Sequence, residues 1–166
     1  MLLLAACSSG NSLTGSLSTV FPLDENSVQV VENTEAFQVT YDFAQGDQDT
    51  VVVQLTVSLA GETLAPGGSL DLSGQTPDGA QRTTVTHLAP NQAAVVLPAV
   101  QSGLLKLSEG GQAVGSTTVG TFNLSFVTDG SAAGGHTLSG SFSGPLQSAA
   151  FAPDAGFAGF ASNDGG

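Results

Sequence analysis

Residues 35–43 run EAFQVTYDF. The period is two: Phe37, Val39, Tyr41 and Phe43 fall on one side, Gln38, Thr40 and Asp42 on the other. Successive side chains of a strand point to opposite faces, so the segment reads as a β-strand with one apolar and one polar face. A helix would gather its apolar residues at three- and four-residue spacings, and this stretch does not. Beyond the turn-like QGDQD (45–49) a second alternating run begins. It sets Val51, Val53, Leu55, Val57 and Leu59 against Gln54, Thr56 and Ser58. Two such runs joined by a short Gly/Asp loop predict a β-hairpin.

Working outward, the same period recurs. Residues 69–73 and 81–88 form shorter strands, fenced by TPDG (76–79) and APN (89–91). Residues 93–100 are apolar but contain Pro98, which suits an edge strand or a bulge. Residues 103–108 give a brief strand. A second hairpin closes the series: Phe122, Leu124 and Phe126 alternate with Thr121, Asn123 and Ser125. After the turn at 129–135, Leu138, Gly140, Phe142 and Gly144 alternate with Ser139, Ser141 and Ser143. The serine face is small and polar, as a solvated sheet face should be. The chain is therefore predicted all-β, an antiparallel β-sandwich of about eight strands over residues 20–147, immunoglobulin-like in a broad sense. A small β-barrel is the alternative. Residues 148–166 lose the alternation and read as a loosely ordered tail; the other reading docks Phe151, Phe157 and Phe160 on the domain or a partner.

Composition narrows the partners. Charged residues are 10% of the chain, against a typical value of about 25%. The net charge of −12 arises because Arg82 and Lys106 are the only basic residues. Phosphate backbones are gripped by several Lys and Arg side chains, so nucleic acid is excluded as a partner.

The single cysteine, Cys7, follows a short apolar run. Leu4-Ala5-Ala6-Cys7 resembles the lipobox of bacterial lipoproteins, in which a Leu and two small residues precede the lipidated Cys. The resemblance implies cleavage before Cys7, a diacylglyceryl thioether on its sulfur, and a membrane anchor. Ser8 after it implies sorting to the outer membrane of a Gram-negative envelope. Residues 1–6 are then the remnant of a signal peptide. No Lys or Arg lies upstream, and residues 2–6 are shorter than a full apolar region of roughly 7–15 residues. An in-frame extension ahead of Met1 is the expectation. Residues 7–19 become the lipidated Cys and a flexible tether, whose 12 free residues would span roughly 17–21 Å.

Catalytic and metal constellations are sparse. His87 and His136 are the only imidazoles and read as structural; no metal site is expected from them. GSFSG (140–144) has Phe142 where a nucleophile elbow needs serine. Asp47 and Asp49 lie one residue apart in a hairpin loop, where turn chemistry accounts for them better than glycosidase or Ca²⁺ chemistry. Asp24, Glu25 and Asp129 add oxygens without the spacing of a calcium loop. With no Trp and only Tyr41, sugar stacking is disfavoured. No cofactor and no catalytic residue is expected, and no ligand-binding residue is assigned. The functional expectation is a non-catalytic cell-envelope lipoprotein, a structural or protein-interaction module that meets the membrane through its lipid and other envelope proteins through its surface. A secreted module binding carbohydrate or Ca²⁺ is the alternative, and a hydrolase the remote one.

Overall fold

The computed structural model describes residues 10–45, 48–88, 93–110 and 113–148. Cys7, Asp47, the side chain of Asp49 and the 149–166 tail lie outside the described residues. Ten strands follow one another: β1 (Ser12–Thr14), β2 (Ser27–Glu32), β3 (Ala36–Gln45), β4 (Gln48–Ser58), β5 (Ser69–Asp71), β6 (Thr83–His87), β7 (Val95–Val96), β8 (Val100–Glu109), β9 (Thr117–Phe126) and β10 (Thr137–Gln147). A single turn of 3₁₀ helix, Ser16–Thr19, separates β1 from the rest.

The strands hydrogen-bond in the order β5-β8-β9-β10-β2-β3-β4-β6-β7, with β1 also on β10. Both predicted hairpins are present, β3–β4 and β9–β10. The all-β expectation holds, with a difference in plan: the two layers belong to one mixed sheet that curls over, not to two separate antiparallel sheets. Strand β10 is the seam. Its first half takes β1 antiparallel, pairing Ser141 with Ser12, and its end takes β2 in parallel, pairing Leu146 with Val30. The curl brings the apolar faces together: Phe37 of β3 meets Phe142 of β10 at 5.9 Å between ring centroids, and Tyr41 meets Phe122 edge-on at 6.1 Å. Tyr41 also donates its hydroxyl to the carbonyl of Ser141 at 2.9 Å. A Cβ at Gly140 would lie 2.5 Å from the Phe122 ring and 2.7 Å from Tyr41 Oη, so only glycine fits beneath these rings.

Three sequence readings need correction. Residues 11–19 do not form a tether: β1 pairs with β10, Leu13 is buried, and Leu17 is 0% exposed in the core. Amphipathic cues in so short a stretch are weak, and the pairing is with a strand more than 120 residues away. Second, Val51 leaves the apolar face. A bulge between Tyr41 and Asp42 shifts the register so that Tyr41 faces Val53 while Asp42 faces Val51. One extra residue in a strand moves everything beyond it to the other side, and Val52 is buried in the core cluster instead. Third, residues 103–108 belong to a ten-residue strand, β8, set between β5 and β9. Pro98 precedes it, beside the two-residue edge strand β7, as its missing N–H suggests.

Candidate functional site

The outer face of β2, β3, β4 and β6 carries one row of side chains in register: Gln29 opposite Thr40, Thr40 opposite Gln54, and Gln54 opposite Thr86. Each position is the polar member of an alternating pair, so the strand period alone sends all four to the same side. A tight turn sets the β2–β3 register: Asn33 Oδ1 accepts the main-chain N–H groups of Glu35 and Ala36, both at 2.8 Å. The neighbouring row holds Val31 opposite Gln38, and Gln38 opposite Thr56. At the bulge, Asp42 closes the end of the array beside Val51.

Together these residues line a groove of about 230 Å³, with Leu88 and Ala94 on its flank. Its floor is buried: Thr40 is 7% exposed and Asp42 3%. Such values are unusual for a carboxylate on the outer face of a two-layer fold, where charged groups stay in water unless partnered. Gln29 Nε2 donates to Asp42 Oδ2 at 3.2 Å, Gln54 Nε2 to Thr40 Oγ1 at 3.3 Å, and Gln38 Nε2 to Thr56 Oγ1 at 2.9 Å. One N–H of each carboxamide is thereby engaged, while each amide keeps a carbonyl oxygen with two lone pairs. Among the described residues the groove's lining holds one carboxylate and no Lys, Arg or His. Arg82 is held by Glu62 at 2.8 Å, and Lys106 lies exposed on β8 in the other half.

A second cavity, of about 180 Å³, opens near the rim between Pro22, Phe43, Val52 and His87. His87 is buried, its ring 4.6 Å from that of Phe21 and its Nε2 3.2 Å from the carbonyl of Pro22. Burial lowers its pKa, partly offset by that carbonyl. The imidazole thus fastens the 20–23 segment to β6, a structural role.

His136 sits beside a serine, which raises the question of a nucleophile. Its Nδ1 lies 3.2 Å from Ser16 Oγ, but 3.0 Å from the Ser16 carbonyl. A carbonyl only accepts, so Nδ1 carries the proton and cannot take one from the serine. Ser16 Oγ in turn accepts the N–H of Thr137 at 2.9 Å. The pair is a clasp between the N-terminal segment and β10. GSFSG lies within β10 with Phe142 in the core, so no strand–turn–helix elbow forms there.

Three aspartates, Asp71, Asp78 and Asp129, accept hydrogen bonds within turns. The Ser73 main-chain N–H holds Asp71 below the usual range, as the Thr76 hydroxyl does for Asp78 and the Ser131 side chain for Asp129. Among the described residues no three His, Cys, Asp or Glu side chains cluster as a metal site would need. Two buried side-chain oxygens, Glu32 Oε2 and Thr83 Oγ1, have no hydrogen-bond partner among the described residues. Burial pushes the Glu32 carboxyl up to about 7. No helix among the described residues is long and apolar enough to cross a membrane.

The groove is what the reading of the sequence missed. Gln38, Thr40, Asp42 and Gln54 were all on the face expected to be polar, but their convergence depends on strand register and on a bulge. Neither is written in any single strand. The one available signal was the repeated Gln and Thr at outward positions. No protein-family model, no curated protein and no solved structure matches this chain.

Proposed function

We propose that this chain is a non-catalytic binding module of the bacterial cell envelope, anchored through a lipidated Cys7 and using the outer-face groove as its binding element. The observation that supports binding is Asp42, a carboxylate only 3% exposed yet lining a groove on the outside of the fold. Binding sites are concave and place a few polar groups among apolar walls, and the groove has this composition in Val31, Val51 and Leu88 around the amides. The non-catalytic part is supported by the histidines, each bonded to a main-chain carbonyl rather than poised beside an activated nucleophile.

The anchoring part rests on the lipobox-like Leu4-Ala5-Ala6-Cys7. Geometry changes what that anchor would do. Ser141 Oγ donates to the carbonyl of Gly10 at 2.7 Å, so Gly10 is already tied to β10. Two residues, Ser8 and Ser9, lie between Gly10 and Cys7, three steps of chain with a reach of about 10 Å at full extension. The domain would rest against the headgroups, with the outer membrane of a Gram-negative cell as the proposed location, instead of standing off on a long leash. Mass spectrometry of the mature N-terminus and membrane fractionation of wild type and Cys7→Ala test this. Lipid on Cys7 and release of the variant into the soluble fraction are expected; an unmodified Cys7 overturns the anchor.

A further inference from the structure

We infer that the groove receives an organic cation bearing several N–H donors, an alkylguanidinium or alkylammonium group, held by Asp42 and the carboxamides of Gln29, Gln38 and Gln54. The inference deepens the binding-module reading and rests on it. Four observations lead to the class of ligand.

The first is sign. Asp42 places a carboxyl group at the floor, and among the described residues no basic side chain lines the walls. Around it the whole chain carries a net charge of −12, a field that draws cations and repels anions. Second is hydrogen-bond polarity. With one N–H of each amide on a protein oxygen, each side chain can offer at most one further N–H against an oxygen with two acceptor positions, a balance that suits a donor-rich guest. Guanidinium and ammonium groups donate only. Third, the described residues of the lining include no aromatic side chain, the usual platform for a sugar ring. Fourth is size: about 230 Å³ is below the range of roughly 300–1,000 Å³ typical of drug-sized ligands, and fits a headgroup with a short alkyl stem against Val31, Val51 and Leu88. Among the described residues the lining offers a single carboxylate, fewer anionic ligands than a Ca²⁺ site usually gathers.

Agmatine, which carries both a guanidinium and an ammonium group, is the probe. It is titrated into the isotope-labelled protein while backbone amide shifts are followed, with glucose and Ca²⁺ titrated in parallel. Saturable shifts at Gln38, Thr40, Gln54 and Thr86, weakening as salt is raised, are the expected result. Asp42→Asn should weaken agmatine by about tenfold or more, the scale of losing a charge-assisted hydrogen bond. Because Asp42 is buried and its variant can misfold, Gln54→Leu serves as the second variant, with a severalfold loss expected in a folded protein. Agmatine shifts scattered over exposed carboxylates such as Asp71 and Glu109, or equal binding by folded Asp42→Asn, overturn the proposal. Saturable glucose or Ca²⁺ shifts in the groove without agmatine shifts overturn the cation class and leave the binding module standing. No response to any of the three overturns the cation proposal and removes the support for a binding groove, while lipidation of Cys7 remains a separate measurement.

Discussion

The two halves of the curled sheet have the same inner face and different outer faces. On β9 and β10 the outward positions are Thr121, Asn123, Ser139 and Ser141, small groups that are exposed or half-buried. On β2, β3, β4 and β6 they are Gln29, Thr40, Asp42, Gln54 and Thr86, and three of these are buried. An identical two-residue alternation specifies both. Periodicity tells which side of a strand is polar; it is silent on whether that side meets water. Longer polar side chains that bond to one another across strands, and a bulge in β4 that sets Val51 opposite Asp42, make one outer face a groove and leave the other a surface.

Variants can break this comparison at several strengths. The largest effects belong to the shared inner face. Phe122→Ala or Phe37→Ala removes a ring from the junction of the two layers and should cost about 3–5 kcal/mol in denaturant unfolding. A loss below about 1 kcal/mol would mean the layers do not meet there. Leu17→Ala comes next, at about 2–5 kcal/mol, because the N-terminal segment is part of the core. If residues 11–19 were a tether after all, this variant would melt with the wild type.

The outer faces separate at the next level. Thr40→Ala deletes the acceptor of Gln54 Nε2 on a buried floor and should cost about 1 kcal/mol. Thr121→Ala, on the exposed face of β9, should stay within about 0.5 kcal/mol of wild type. Equal values for the two would erase the distinction between groove and surface.

How much of this was legible follows from the same residues. The strand runs at 35–43, 51–59, 117–128 and 137–146 announced themselves, because alternation is a local property and each run is long enough to show it. The β1 segment was illegible: Ser12–Thr14 is three residues long, and what makes it a strand is β10, far along the chain. The groove was half legible. Its side chains were on the expected face, but the bulge at Tyr41/Asp42, which exchanges Val51 for Val52 in the core, depends on how two strands pair. No count along one of them contains it.

The smallest signal concerns two carboxylates on opposite sides of the same layer. Asp42 on the outer side accepts from Gln29, whereas Glu32, which shares the parity of Val30 on the inner side, has a buried oxygen without a partner among the described residues. The Glu32 carboxyl is raised from 4.5 to about 7, so the folded state holds its proton more tightly than the unfolded chain does. Stability is undiminished below about pH 4.5, falls as pH rises from there toward 7, and is level above. Glu32→Gln should remove this slope, so the variant gains on wild type between pH 4.5 and 7. Partial solvent access keeps the gain small. A difference that stays constant with pH would place Glu32 in water.

The seam strand has a consequence for how the molecule comes into being. β10 is the last strand of the described chain, and it pairs with the first, β1, as well as with β2. Until residues 137–147 exist, the two halves have no common strand, and the 11–19 segment has nothing to pair with. A chain emerging from the N-terminus can form the β3–β4 hairpin early but cannot close. Contacts of such long sequence separation put folding in the range of milliseconds to seconds. The protein would thus stay open until residues 137–147 are available and would close only when β10 joins its two halves.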